Sequence, residues 1–234
     1  MNKLLDRLNN NKMCLIASIP ENNYEIAKAA WEAGADAVKV HINVWHRASN
    51  NTFGTLEQNQ EVFSKILRDC PVPVGIVVGE DAFVAEDNVD KAIEMGFDFI
   101  SLYGHHTPAS LAYRKDITNF FAVNSTYTFD EINAVSNSSF ADILEMSICL
   151  PETYGERLNA KDLVRYEYLS KHSAIPTVVP TQHYVLPTDV KALYKCGVKA
   201  VMVGAISMGK DIETISKTLK EFRKEIDKLW LKLD

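Results

Sequence analysis

The sequence predicts an α/β chain folded as a single (β/α)8 TIM barrel over residues 1–234. Three observations predict it. Apolar runs of strand length alternate with segments of helical period along the whole chain, which means parallel strands joined by helical crossovers. Eight such strand–helix units with short connections fit the 234 residues, as a closed barrel requires. The first strand is followed by Ser18-Ile19-Pro20-Glu21-Asn22, with none of the glycines that mark a doubly wound dinucleotide fold.

The elements follow in order. Residues 12–19 form a strand and 22–34 a helix with a polar start and Gly34 as its stop. Residues 35–42 form the second strand, and 55–70 a helix with Thr55 as cap. A strand at 72–79 precedes a helix at 86–96 ending in Gly96; a strand at 97–104 precedes a short helix at 107–115. A strand at 119–125 leads to a helix at 128–137, where Thr128 and Glu131 make a capping box. Strand 141–150 and helix 159–172 come next, then strand 175–181 and helix 186–197 capped by Thr188. The last strand spans 198–206. The last helix spans about 211–231, with Ile212, Ile215, Leu219, Phe222, Ile226 and Leu229 on one buried stripe.

Composition narrows the function. With 47% hydrophobic and 24% charged residues the chain is a well-buried globular protein. A net charge of −6 argues against nucleic acid and against anionic membranes as partners. No window reaches the roughly 18 apolar residues of a membrane span. The start, MNKLLDRLNNNK, alternates charge and leucine too closely for a signal peptide, so the expected location is cytoplasmic. Cys14, Cys70, Cys149 and Cys196 are widely spaced and read as small core hydrophobes in a reducing compartment.

Alternation sorts the strand residues into two sets. On the second strand Val38, Val40 and Ile42 face the helices, so Lys39, His41 and Asn43 face the barrel interior. On the fourth, Phe99, Ser101, Tyr103 and, just past the end, His105 point inward. On the sixth, Leu144, Met146 and Ile148 go outward, and Ile143, Glu145 and Ser147 inward. Strands two and six oppose each other in a ring of eight. Lys39 and Glu145 are therefore placed to meet, and a buried charge needs such a partner. Five of the six histidines (His41, His46, His105, His106 and His183) fall at or after strand ends, where barrel active sites lie; His172 ends a helix. No metal or cofactor is expected. A divalent metal on His41, His105 and His183 is the alternative, although no tight ligand spacing supports it. After the last strand, the main-chain N–H groups of Gly204, Ala205 and Ile206 lead into a helix start, a ready anion site that Ser207 and Lys210 could complete.

The stretch Val38–Glu57, VKVHINVWHRASNNTFGTLE, resembles the second strand and following loop of ribulose-phosphate 3-epimerases. There a histidine and an aspartate two apart precede a loop ending in Asn-x-Thr-Phe-Gly. Here His41, Asn43 and Asn51-Thr52-Phe53-Gly54 take those places. LIASIP, with Ser18 near its end, resembles that family's first strand, and the segment from Val201 to Ile226 its phosphate-binding last strand and helix. GFDFISLYGHHTP and IPTVV, with the later GVKAVMVGAIS, resemble N-acylmannosamine-6-phosphate 2-epimerase. The shared group is the ribulose-phosphate-binding barrels, whose members are often homodimers.

The chain departs from these families at their catalytic positions. Asn43, which cannot serve as a proton base, stands where the epimerases keep an aspartate. The histidine of strand three and the aspartate of strand seven are missing. The mannosamine-phosphate enzymes' lysine near the end of strand three and the decarboxylases' Asp-x-Lys-x-x-Asp run are missing too. Thr181-Gln182-His183-Tyr184 replaces a glycine-rich phosphate turn.

The expected function is an isomerase or epimerase acting on a small phosphorylated sugar by proton transfer next to a carbonyl. Lys39, His41, Glu145 and His105 are the expected catalytic residues. Ser18, Asn43, Ser101, Tyr103, Ser147, Gln182 and His183 are expected to touch substrate, and Gly204, Ala205, Ile206 and Ser207 to bind phosphate. Two alternatives stay open: a Schiff-base aldolase or lyase through Lys39, and a phosphosugar-binding barrel without catalysis.

Overall fold

The computed structural model describes residues 3–10 and 13–230. Lys12 and Leu231, outer ends expected for the first strand and last helix, lie outside the described residues. The chain opens with α1 (Lys3–Asn9), β1 (Cys14–Ser18), α2 (Tyr24–Glu32) and β2 (Ala37–His41). A hairpin follows, β3 (Val44–His46) and β4 (Asn51–Phe53), then α3 (Leu56–Asp69), β5 (Val74–Val77), α4 (Ala82–Met95) and β6 (Phe99–Tyr103). The second half comprises β7 (Thr118–Asn124), α5 (Phe129–Ser136), β8 (Ile143–Ser147), α6 (Ala160–His172), β9 (Thr177–Pro180), α7 (Val190–Lys195) and β10 (Ala200–Val203). It ends with the single turn α8 (Ala205–Met208) and α9 (Ile212–Trp230).

Eight strands close into one parallel barrel in the order β1-β10-β9-β8-β7-β6-β5-β2. The outward rows pack under the helices: Val38, Val40 and Ile42 from β2 and its end, and Leu144, Met146 and Ile148 from β8 and its end. Local chemistry sets several boundaries as expected. Thr55 with Gln58 and Thr128 with Glu131 form capping boxes at α3 and α5. Among the described residues no helix is long and apolar enough to cross a membrane.

Three expectations need correction. The short helix at 107–115 is replaced by two 3-10 turns, Gly104–His106 and Ala109–Leu111. The Thr107 hydroxyl donates to the Tyr103 carbonyl (3.1 Å), a local bond that competes with helical ones. Thr188 does not cap the seventh helix. Pro187–Asp189 is a 3-10 turn, and the Asp189 carboxylate takes the Leu186 N–H (2.8 Å) before α7 begins. Ile212 is 46% exposed, because α9 starts on it and the buried stripe begins one turn later at Ile215.

Below the site the barrel is filled and closed. The Phe99 ring stacks on Phe120 with centroids 4.5 Å apart. A Cβ at residue 75 would stand 2.0 Å from the Phe99 ring, so Gly75 is the residue that lets this ring cross the lumen. Helix α1, which the strand–helix alternation does not include, plugs the floor. Its Leu4 and Leu8, one turn apart, are fully buried against Ile16, Phe120, Ile143 and Val178. Asp36, 9% exposed, ties the plug down. It accepts from Arg7 of α1 (2.8 Å), Arg223 of α9 (2.9 Å) and the Leu15 N–H (2.9 Å).

Replacing Asp36 with Ala leaves two guanidinium groups facing each other and one buried N–H unmet. The expected loss is about 3 kcal/mol in urea-induced unfolding, the scale of breaking a buried pair. A loss below about 1 kcal/mol, the size of a surface ion pair, would show that the plug is held by Leu4 and Leu8 alone.

Candidate active site

Side-chain alternation on β2 and β8 puts one charge of each sign into the lumen, and ring closure sets them face to face. Lys39 Nζ lies 3.5 Å from both Oε1 and Oε2 of Glu145, and each residue is 5% exposed. Two hydroxyls complete the carboxylate's shell. Ser101 donates to Oε2 (2.7 Å) and Ser147 to Oε1 (3.3 Å), while Lys39 reaches Ser101 Oγ at 3.5 Å. A tight ammonium–carboxylate bond is about 2.8 Å. Here all three ammonium contacts, to Oε1, Oε2 and Ser101 Oγ, are long at 3.5 Å, so a guest oxygen can draw a donor away from one of them at small cost.

Beside this pair lies His41, 2% exposed. Asn22 clamps its backbone, donating to the His41 carbonyl (2.6 Å) and accepting the His41 N–H (3.3 Å). Its Nε2 is 3.4 Å from Ser18 Oγ, and its buried Nδ1 has no hydrogen-bond partner among the described residues. Burial holds the imidazole well below its usual pKa, with His46 and Lys39 adding to the effect. The ring is therefore neutral. It is covered by His46 and Phe53 of the hairpin, with centroids 4.5 and 4.7 Å away. Burial, then Lys39, brings His46 down to about 4; its Nδ1 is 2.8 Å from Ser49 Oγ.

A cavity of about 420 Å³ opens above these groups at the C-terminal ends of the strands. Of the expected site residues, Lys39, His41, Glu145, Ser18, Ser101, Tyr103, Ser147, Gln182 and Gly204 line it. The hairpin adds Trp45, His46 and Arg47 as one wall, and Arg47 lies over the Tyr154 ring at 5.6 Å. Burial, then Glu145, pushes the Tyr103 hydroxyl up to about 12, so it stays a donor. Trp45, Arg47 and Tyr154 are lining residues that sequence reasoning missed; the signal was the Trp-His-Arg run directly after a strand end.

Six expected site residues stand apart from the cavity lining. Asn43 has φ 51° and turns the chain off β2 into the hairpin, so the inward row ends at His41. His105 lies in a 3-10 turn against Tyr127 (3.2 Å), bordering a separate surface depression. His183 turns to Asp162 (3.3 Å) behind the wall. Ser207 Oγ accepts the Val185 N–H (3.1 Å), and Ala205 and Ile206 do not reach the cavity. The Gly204 N–H is itself committed, donating to Thr181 Oγ1 (2.8 Å). His41, His105 and His183 thus do not converge. Among the described residues no group of three or more His, Cys, Asp or Glu is placed to hold a metal ion.

Solved structures share this architecture. A chain of the tryptophan synthase α2β2 complex from Pyrococcus furiosus superposes with a TM-score of 0.70 at 13% identity, over 91% of this chain and 98% of that one. Thiamine phosphate pyrophosphorylase from the same organism gives 0.65 at 16% identity, over 95% and 98% of the two chains. Phosphoribosylanthranilate isomerase from Thermotoga maritima gives 0.60 at 17%, over 92% and 100%. The likeness establishes the barrel. No protein-family model matches the sequence, and no curated protein matches it.

His46 gives the fold a pH signature. Its folded pKa, about 4, is below the unfolded value near 6.5, so the unfolded chain binds the extra proton. Stability is then full above pH about 6.5 and falls by up to roughly 3 kcal/mol as pH drops towards 4. Replacing His46 with Phe should reduce the slope of this part of a stability-against-pH curve measured by denaturant unfolding, leaving the share contributed by buried His41. An unchanged slope would place the imidazole in solvent.

Proposed function

We propose that the chain is an enzyme that transfers a proton at the carbon next to the carbonyl of a small phosphorylated sugar. One observation carries the proposal: a paired carboxylate and ammonium, both nearly dry, form the base of a cavity at the catalytic end of a barrel. Glu145 takes the proton. Its anion is held by Ser101 and Ser147, so its orientation does not depend on Lys39 alone. Lys39 faces the oxygen on which negative charge builds, where a fixed cation in a dry site is most effective. Neutral His41 offers a hydrogen bond to the same oxygen without a competing charge. The phosphate is assigned to the mouth. Arg47 supplies the charge there, and the Gly204 loop borders it. In keeping with this assignment, two of the proteins that share the barrel carry a phosphate in their names, and one of those is an isomerase.

A second reading has its own support. Lys39 Nζ is not tightly bonded to Glu145 and lines the cavity, so a deprotonated amine could add to a ketose or aldehyde phosphate as a Schiff base.

The test is proton exchange in deuterated water, followed by NMR on a panel of triose to hexose phosphates. At least one substrate should gain deuterium next to its carbonyl, and Glu145→Gln should slow the exchange by about 10²–10⁴-fold, the usual contribution of a general base. Borohydride added with substrate should leave Lys39 unmodified; a stable adduct there selects the lyase. Binding of a sugar phosphate without exchange or adduct selects a non-catalytic barrel.

A further inference from the structure

The inner row of β8 continues past the strand end. Glu145 and Ser147 are followed, two residues on, by Cys149, which also lines the cavity. Its sulfur sits 4.0 Å from Nδ1 of His183, and Nε2 of His183 lies 3.3 Å from Oδ1 of Asp162. All three residues are buried, at 5%, 2% and 8% exposure. The order is that of a nucleophile, a base and an orienting acid. Asp162 is fixed from the other side: its Oδ2 accepts the Asn159 N–H (3.3 Å) in the capping box of α6. In the tautomer that gives its Nε2 proton to Asp162 Oδ1, Nδ1 is an acceptor directed towards sulfur. The thiol has two other neighbours, the Leu150 carbonyl and Thr153 Oγ1, each 3.4 Å away. Burial raises the thiol's pKa, so it rests as S–H and needs a base at the moment of attack.

We propose that Cys149, His183 and Asp162 form a second reactive site, in which the thiol adds to the carbonyl carbon of an aldehyde or ketone held in the cavity. The Cys149 S–H proton passes to His183 Nδ1 as sulfur bonds to the carbonyl carbon. The C=O π pair moves onto oxygen, and His183 returns the proton to that oxygen. The product is a hemithioacetal or hemithioketal; nothing is oxidised or reduced, and the step reverses by the same path. Cys149 is the reacting residue and His183 its base. Asp162 is a positioning residue that acts through His183. The chemistry goes beyond proton transfer by Glu145 and does not require it.

Two measurements on the full chain test this. Iodoacetamide labelling near neutral pH, followed by peptide mass spectrometry, compares the cysteines within one sample. Cys149 should react about tenfold or more faster than Cys70, although Cys70 is the less buried of the two. Asp162→Asn keeps an oxygen to cap α6; it should slow Cys149 about tenfold and move the rate's pH profile, with Cys70 unchanged. His183→Gln should do the same or more. Equal rates at Cys149 and Cys70, or an unmoved Cys149 rate and pH profile in Asp162→Asn, would overturn the proposal and leave a structural cluster.

Carbonyl-labelled carbon-13 glycolaldehyde then reports the adduct. A protein-bound hemithioacetal resonance should appear with the wild type and with Glu145→Gln, and vanish with Cys149→Ser. Its absence from the wild type overturns the proposal. Its presence in Glu145→Gln separates this result from the proton-exchange experiment.

Discussion

The ion pair between Lys39 and Glu145 is the constraint around which the barrel is organised. Each charge costs several kcal/mol to remove from water, so neither can be tolerated in the lumen alone. They neutralise each other only because β2 and β8 are four places apart in a ring of eight, which an open sheet would not bring together. Closure of the barrel and survival of the pair are therefore one requirement. The two serines finish what the lysine leaves undone at the carboxylate. This polar layer also divides the interior. Below it the lumen is filled by Phe99, Phe120 and the leucines of α1. Above it the lumen is open. A barrel with a continuous apolar core would have no such cavity.

The hairpin after β2 sets the electrical state of the cavity. By covering His41 with His46 and Phe53 it dries both imidazoles, and the nearby ammonium further disfavours their protonation. The floor then holds one cation and one anion, Lys39 and Glu145, beside two neutral rings, while Arg47 and Glu80 add one charge of each sign along the lining. A guest that develops negative charge meets Lys39 without competition from a second fixed anion at the base of the site, since Glu80 lies with the hairpin, accepting the Trp45 N–H (3.1 Å). The same hairpin delivers Arg47 to the rim. One insertion thus sets both the dryness of the floor and the charge of the entrance.

How much of this was legible in the sequence follows the backbone. Where a strand runs straight, a period of two is enough: Lys39, His41, Ser101, Tyr103, Glu145 and Ser147 all line the cavity as alternation requires. Alternation fails one or two residues beyond a strand end, because the dihedral angles there are set by other bonds. Asn43 turns at positive φ, Gly104 opens a 3-10 turn that takes His105 away, and His183 is drawn off by Asp162 from a helix far along the chain. Nothing local encodes that last contact. The loop expected to bind phosphate shows the same limit. Gly204 is where the pattern puts it, but its N–H is taken by Thr181, a residue of the turn that stands in place of the glycines. Helix α1 escaped for a different reason. Its apolar face is two leucines wide, too little for a period, and its place in the fold is set by the hole it fills.

The inner row Glu145, Ser147, Cys149 explains why two chemistries can share one wall without interfering. Residues two apart on a strand rise by roughly 6.6 Å, so Ser147, the last residue of β8, stands one step above Glu145, and Cys149 follows beyond the strand end. Glu145 is served from across the lumen by β2 and β6; Cys149 is served from behind the wall by His183 and Asp162. The two sets have no side chain in common. A change in Asp162 alters what stands behind the sulfur and leaves the ion pair's partners in place. A change in Lys39 alters the floor and leaves the thiol's base oriented. Strand alternation sets the spacing of the row, while each position draws its reactivity from a different side of the barrel.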